Sequence, residues 1–174
     1  MAQTIWEKGT LPPDFPSLRK NISTDVLIIG GGITGITLAY LLSKSGIKTC
    51  LIEKNKIGSG ETSHTAAFIN YVTDCDLMEI TKKFGKQKAK KTWQSTKSAI
   101  DKIEEIVTEE KISCDFKKCV LFELPSQKKD AKYLEKECKL AKGFGFPAQI
   151  EEKDIGLFSR IYLRFEGNAK FHPL

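Results

Sequence analysis

Residues 24–53 read TDVLIIGGGITGITLAYLLSKSGIKTCLIE, and this stretch predicts the fold of the chain. Residues 25–29 are a short apolar run, typical of a parallel strand that is buried on both faces. Three glycines follow, then apolar residues at helical spacing, and Gly46 stands where a left-handed cap would end a helix. Residues 48–53 predict a second strand. The order of strand, glycine turn, helix and strand predicts a Rossmann-like βαβ unit in an α/β fold.

The glycines match the G-x-G-x-x-G pattern at Gly30, Gly32 and Gly35. The first glycine permits the tight turn, the second lets the backbone approach a pyrophosphate, and the third lets the helix pack closely. The helix N-terminus offers N–H groups to the diphosphate. Glu53 ends the second strand, where a carboxylate can accept hydrogen bonds from the adenosine ribose. The pattern therefore predicts a dinucleotide site that runs along Gly30, Gly31, Gly32, Ile33, Thr34 and Gly35.

A membrane span is the alternative interpretation of this stretch, because residues 26–43 carry no charge. The glycine cluster and the polar Thr34, Thr37 and Ser43 argue against a span. The stretch is also shorter than the roughly 20 apolar residues that a spanning helix needs. No membrane span is therefore predicted.

Residues 54–67, KNKIGSGETSHTAA, bear on which dinucleotide binds. Glu53 indicates a free ribose 2′-hydroxyl, which FAD and NAD share. The segment resembles the E-[KR]-x-x-I-G-S-G-x-[TS] run of FAD-dependent oxidoreductases in the D-amino-acid oxidase-like superfamily. The resemblance implies that it follows the flavin diphosphate towards the isoalloxazine ring, with cofactor contacts from Lys54, Ser59, Gly60, Thr62, Ser63, His64 and Thr65. A solvated loop without a ligand is the alternative.

His64 lies in the run GETSHTAA at residues 60–67. It is in register with a histidine that carries covalently attached FAD in the dimethylglycine and sarcosine dehydrogenases. Those enzymes have Trp at the position of Ser63 and Gly at the position of Ala67. Three roles for His64 stay open: covalent attachment of FAD, non-covalent contact with the flavin, and a structural role.

Composition narrows the class of protein further. The 174 residues suffice for one domain with a core, and 28 Lys and Arg against 22 Asp and Glu give a net charge of +6. Lysines cluster in residues 82–91, but few aromatics interleave with them, so a solvated helix face is predicted and not nucleic-acid binding. Five cysteines without a C-x-x-C pair predict a reducing compartment and no metal site. With no signal-peptide pattern at the start, the predicted location is the cytoplasm.

The sequence predicts three regions: an N-terminal arm at 1–23, the FAD-binding βαβ unit and flavin loop at 24–73, and a segment at 74–174 that leads into an inserted α+β substrate subdomain. Helices are predicted from Asp74 or Asp76 to Gly85, along an apolar stripe from Trp93 to Val107, and over 128–142. Strands are predicted over 114–125 and 161–165, a strand or extended passage over 68–73, and a short polar passage over 150–157.

The resemblance extends over residues 25–67, 114–116 and 163–174 to the N-terminal third of a bacterial FAD-dependent oxidoreductase group, many members of which carry a C-terminal Rieske domain. It implies oxidation of an amine or amino-acid-like small molecule by hydride transfer to the flavin, with no catalytic residue assigned here. In that family later segments complete the flavin domain. We therefore expect the 174 residues to form an incomplete domain with exposed apolar sheet surface, weak flavin affinity and no activity alone. Two further hypotheses stay open: a non-catalytic truncated fragment that needs more chain or a partner, and an NAD-binding module.

Overall fold

The computed structural model describes residues 4–10, 13–126, 130–152 and 161–174. Two compact units divide the chain. The first runs to Ala67 and includes residues 172–174, and the second covers residues 68–171. Both units contain helices and strands, which confirms the predicted α/β class. The assignment of residues 24–73 to FAD binding and of residues 74–174 to a substrate subdomain concerns function and stays a prediction.

The first unit is built on the predicted βαβ arrangement: β1 (Val26–Ile29), α1 (Ile33–Lys44) and β2 (Thr49–Ile52). The two strands are parallel, in a register that runs from Val26 opposite Thr49 to Ile29 opposite Ile52. Gly46 follows the helix with a φ of +75°, the left-handed conformation that its position predicts. The βαβ prediction is confirmed.

The prediction that β1 is buried on both faces is wrong. Ile28 is buried, but Leu27 is 52% exposed and Ile29 is 79% exposed. A parallel strand is buried on both faces only when other elements cover each side of its sheet. In the described chain, β1 pairs with β2 alone. The expected exposed apolar sheet surface is therefore present. Apolar side chains of α1 are exposed as well, at Ile33, Ile36, Leu38 and Leu41.

The described part of the second unit contains β3 (Phe68–Ile69), α2 (Leu77–Phe84), α3 (Lys86–Glu109), β4 (Lys117–Glu123), α4 (Ala131–Gly143), β5 (Ala148–Glu152) and β6 (Ile161–Lys170). β6 is the central strand and pairs antiparallel with the other three. The strand predicted over 114–125 is confirmed over the bounds of β4 and is shorter than predicted at both ends. The strand predicted over 161–165 is confirmed in β6, which continues further than predicted. Of residues 68–73, only the first two are a strand.

The polar passage predicted over 150–157 is wrong where the structure describes it, because β5 runs through Glu152; residues 153–157 lie outside the described residues. Glu151 and Glu152 belong to a strand whose pairing with β6 outweighs its weak local propensity. The helix predicted from residue 128 is confirmed from Ala131, where the Asp130 side chain caps it by accepting the Tyr133 N–H at 2.8 Å. Residues 128–129 lie outside the described residues.

Aromatic side chains form the centre of the second unit. The rings of Tyr71, Trp93, Phe146 and Phe165 pack with centroids 5.3 to 6.2 Å apart, mostly edge to face. The predicted apolar stripe of α3 contributes Trp93 and Ile100, which are both buried. The stripe is thereby confirmed as core at these two positions, and Ile103 and Val107 further along it are half-buried.

A buried acid connects α4 to the start of α2. Glu137 of α4 is fully buried, and its carboxylate accepts the N–H groups of Leu77 at 2.7 Å and Met78 at 2.9 Å. Asp76 caps the same helix by accepting the Glu79 N–H at 2.8 Å, which confirms one of its two predicted caps. Burial raises the pKa of Glu137 to about 7, against the lowering effect of its two backbone hydrogen bonds.

Across the described residues, the helices are too short or too polar to cross a bilayer.

Candidate dinucleotide site

The glycine turn between β1 and α1 depends on a close approach between two of its own residues. Gly30 has a φ of +109°, and its N–H donates to the carbonyl oxygen of Ile52 at 2.8 Å, which joins the turn to β2. A Cβ on Gly35 would lie 2.0 Å from the carbonyl oxygen of Gly30. Only glycine at position 35 lets the first turn of α1 sit this close to the strand end.

Gly31 and Gly32 also lie close to other residues, which come from the segment after β2. A Cβ on Gly31 would lie 2.5 Å from Cδ1 of Ile57, and one on Gly32 would lie 3.2 Å from Oγ1 of Thr62. The G-x-G-x-x-G pattern gives no role to the position of Gly31, so sequence reasoning missed its packing against Ile57. The available signal was the run of three consecutive glycines, of which the pattern requires only the first and the last.

Glu53 links the end of β2 to the glycine turn. Its carboxylate accepts the Gly31 N–H at 2.7 Å through one oxygen and the Asn55 N–H at 2.8 Å through the other. The hydrogen bond from Gly31, followed by that from Asn55, lowers the pKa of Glu53. The group is therefore ionised at neutral pH, and each oxygen keeps a lone pair that can accept a ribose hydroxyl.

Thr62 caps α1 from a distant part of the chain. Gly32 is the N-cap residue and has no side chain, and the Thr62 hydroxyl accepts the Ile33 N–H at 2.9 Å in its place. Thr62 lies in a short 3₁₀ helix (Glu61–His64) and is buried, as is Ser63. A second bond, from the Gly58 N–H to the Gly31 carbonyl at 2.9 Å, also fixes this segment to the turn.

His64 is exposed, with one ring nitrogen engaged. Its Nδ1 lies 2.9 Å from the carbonyl oxygen of Gly60 and 3.1 Å from Oγ of Ser63. Because a carbonyl only accepts, the contact with Gly60 assigns the proton to Nδ1, and Ser63 uses its own proton to bond the same carbonyl at 3.0 Å. In the neutral form of this ring, Nε2 is the nitrogen with a lone pair.

The structure brings most of the predicted site residues together at one end of the βαβ unit. Other predicted residues stand outside this set: Thr34 and Lys54 are exposed, the Ser59 hydroxyl bonds the Lys56 carbonyl at 2.7 Å, and the Gly60 carbonyl contacts Ser63 and His64. Thr65 contributes its carbonyl to a contact with the N-terminal arm, which the sequence pattern could not indicate. The assembled members are Gly30, Gly31, Gly32, Ile33, Gly35, Glu53, Thr62 and Ser63.

The residues present fit a dinucleotide. A Cβ would lie 2.0 Å from a neighbouring atom at Gly35, 2.5 Å at Gly31 and 3.2 Å at Gly32, so backbone and not side chain lines the start of α1. The helix start supplies N–H donors for a diphosphate, and the ionised Glu53 supplies acceptors for a ribose. The βαβ unit, the glycine turn and the acid at the end of β2 together define a dinucleotide-binding fold.

Comparison with known proteins makes this class more specific. The family model described as FAD dependent oxidoreductase (DAO) matches residues 25–162. The chain belongs to this family, which the resemblance in the sequence had indicated.

A curated relative supports the same assignment. The chain is 34% identical over 173 residues to the protein named "Putative Rieske 2Fe-2S iron-sulfur protein YhfW" from Bacillus subtilis, covering 99% of this chain and 34% of the relative.

Two solved structures share the fold. L-proline dehydrogenase from P. horikoshii matches with a TM-score of 0.67 at 21% identity, covering 86% of this chain and 38% of that one. Glycine oxidase from Geobacillus kaustophilus matches with a TM-score of 0.66 at 19% identity, covering 86% of this chain and 41% of that one. The chain thus spans between about a third and two-fifths of the length of these three proteins.

Proposed function

We propose that this chain is the FAD-binding part of an oxidoreductase that oxidises an amine or amino-acid-like substrate by hydride transfer to the flavin. The observation that carries the proposal is the packing of residues 58–63 onto the glycine turn, through the Gly58–Gly31 and Thr62–Ile33 hydrogen bonds. A nicotinamide site needs only the turn and the acid, whereas this segment places further polar groups beside the turn. Family membership and the amino acids named in the two matching structures support the substrate class.

Each part of the site has a physical task in this proposal. The diphosphate would lie at the N–H groups of the first turn of α1 other than that of Ile33, which Thr62 already accepts, and Glu53 would accept from the adenosine ribose. Ser59 to Thr65 follow the cofactor towards its ring. When bound, FAD supplies the acceptor for the hydride, and the protein supplies orientation and electrostatics.

Other predictions carry over as proposals. Further polypeptide, absent from the 174 residues, would complete the flavin domain and contact the substrate. A Rieske domain in the full-length protein rests on the name of YhfW and on the sequence resemblance. The cytoplasmic location rests on the sequence alone.

Glu53→Gln is expected to weaken FAD binding by roughly 10- to 100-fold. The amide can present an oxygen to either Gly31 or Asn55, but its NH₂ group then faces the other backbone N–H. Titration of the flavin-free protein with FAD, followed by flavin fluorescence, measures the change. Glu61→Gln, at an exposed acid in the same segment, is the matched control and should bind FAD like the wild type.

The same titration with NADH separates the two cofactor hypotheses. We expect FAD to bind and NADH not to compete at similar concentrations. Tight NADH binding with no FAD binding would establish the NAD-binding module instead. Failure of both ligands to bind would favour the fragment that needs more chain or a partner.

The flavin is expected to be attached non-covalently, with Nε2 of His64 facing it. Ser63 and Ala67 replace the Trp and Gly of the covalent pattern, and Nδ1 of His64 is already held by Gly60. Denaturing mass spectrometry of protein from its native source should therefore give peptides containing His64 at their sequence mass. A flavin-sized increment on that peptide, lost in His64→Ala, would establish covalent attachment.

A further inference from the structure

The N-terminal arm contacts the flavin segment through one tryptophan. The indole N–H of Trp6 donates to the carbonyl oxygen of Thr65 at 2.8 Å, across 59 positions in the sequence. Thr4 and Glu7 flank Trp6 and bond each other's backbone, with the Thr4 N–H donating to the Glu7 carboxylate at 2.8 Å and the Glu7 N–H to the Thr4 hydroxyl at 3.3 Å. This reciprocal arrangement fixes the turn that carries the indole.

The last three residues of the chain meet the same segment from its other end. The ring of His172 packs edge-on to Trp6, with centroids 5.2 Å apart and an interplanar angle of 85°. Its Nδ1 lies 2.8 Å from the carbonyl oxygen of Leu174. The Leu174 side chain covers Gly58, where a Cβ would lie 2.5 Å from Cδ2 of that leucine. Leu174 thus contacts Gly58 at one end of the segment, and Trp6 contacts Thr65 at the other.

The segment from Gly58 to Thr65 has little regular structure of its own and depends on contacts with other parts of the chain. Residues 58–65 contain two glycines and one short 3₁₀ turn, and His64 and Thr65 are exposed. Ordering a loop of this kind costs conformational entropy, and the cost falls on ligand binding unless other contacts have already ordered it. A tryptophan hydrogen bond and an edge-to-face aromatic contact are each strong enough to offset part of the entropy cost of ordering this loop.

We propose that Trp6 and His172–Leu174 form a clasp that holds residues 58–65 in the conformation that receives the flavin. Trp6 is then a positioning residue: it acts on the cofactor through Thr65 and contacts no reacting atom. The proposal rests on the FAD site proposed above. It assigns a role to the N-terminal arm and to His172, neither of which belongs to the glycine motif.

Two substitutions separate the contributions of Trp6. Trp6→Phe removes the N–H donor but keeps a ring against His172, whereas Trp6→Ala removes both contacts. In flavin-free protein, Trp6→Ala should speed hydrogen–deuterium exchange of residues 58–65 about tenfold and weaken FAD binding by a similar factor, with Trp6→Phe intermediate. Phe15→Leu, at a 66% exposed aromatic of the same arm, is the control and should change neither.

His172→Ala tests the clasp without touching the indole N–H. It should raise exchange in the same residues, and its effect should add less than fully to that of Trp6→Ala, because both remove one shared ring contact. Exchange in β1 and β2 should be unchanged in every variant. Faster exchange throughout the first unit would overturn the proposal, since it would indicate general destabilisation.

The outcomes distinguish this proposal from the one it rests on. If the wild type binds FAD and Trp6→Ala changes neither local exchange nor affinity, the clasp is refuted and the FAD site stands. If the wild type binds no FAD, the flavin role of the clasp is refuted for these 174 residues, and the fragment that needs more chain or a partner is favoured. If Trp6→Ala does not fold, Trp6→Phe and His172→Ala decide the same question.

Discussion

Gly35→Ala is expected to abolish measurable FAD binding, with a loss of affinity of about a hundredfold or more. The added Cβ would lie 2.0 Å from the carbonyl oxygen of Gly30 and 3.4 Å from Cγ2 of Ile28. The first of these is a backbone atom in the turn itself, so it cannot move aside as a side chain would. To relieve the overlap, α1 must shift away from β1, which displaces the N–H groups that face the diphosphate. FAD titration together with thermal unfolding measures both effects.

The matched control for this change is Gly143→Ala. Gly143 is also helical, at the end of α4, and a Cβ there meets nothing within 4 Å. The control should leave FAD binding unchanged and stabilise the second unit by up to about 1 kcal/mol, because alanine favours a helix over glycine. Gly32→Ala should be milder than Gly35→Ala, since its Cβ would lie 3.2 Å from the Thr62 hydroxyl. Wild-type FAD affinity in Gly35→Ala would show that the turn relaxes freely.

The βαβ unit is predictable from sequence because its signals are local. The apolar run before Gly30, the helical spacing after Gly32 and the left-handed Gly46 each concern neighbouring residues. The cap of α2 at Asp76 and the stripe that buries Trp93 are predictable for the same reason. Short-range periodicity and cap chemistry predict where elements start and stop.

Features that depend on distant partners are not predictable in this way. The exposure of Ile29 depends on how many layers cover its sheet, and β5 exists because β6 pairs with it. Within the candidate site, the motif indicates Gly35 and Glu53, but nothing in the local sequence indicates that Thr62 caps α1 or that Trp6 reaches Thr65. These contacts join positions between 29 and 59 residues apart, and no periodic pattern encodes them.

Glu137 is expected to make the second unit less stable as pH rises. Burial raises its pKa to about 7 in the folded chain, from 4.5 when exposed. Between pH 4.5 and 7, the folded state therefore holds a proton that the unfolded state has already lost. The stabilising contribution of this proton to the free energy of unfolding is fully present below pH 4.5. It declines between pH 4.5 and 7 and is gone above pH 7. A pKa difference of this size corresponds to roughly 3 kcal/mol in the free energy of unfolding.

Comparison with Glu137→Gln isolates this effect, because the amide does not titrate. The free energy of unfolding of the wild type minus that of the variant should fall by roughly 3 kcal/mol between pH 4.5 and 7. Asp76 and Glu123, whose charges face Glu137, are present in both proteins, so their own titration largely cancels. Urea unfolding followed by Trp93 fluorescence in a Trp6→Phe background reports on the second unit, since those are the two tryptophans of the chain.

Glu135→Gln is the matched control, at an exposed acid on the same helix, and should not alter the pH dependence. The experiment also decides between two opposing forces on the Glu137 carboxylate. Desolvation favours its neutral form, whereas the N–H groups of Leu77 and Met78 favour the charged form at the start of α2. A difference that rises with pH would mean that these two hydrogen bonds outweigh burial. Glu137 would then be a charged cap that stabilises the joint between α2 and α4 most strongly at neutral pH.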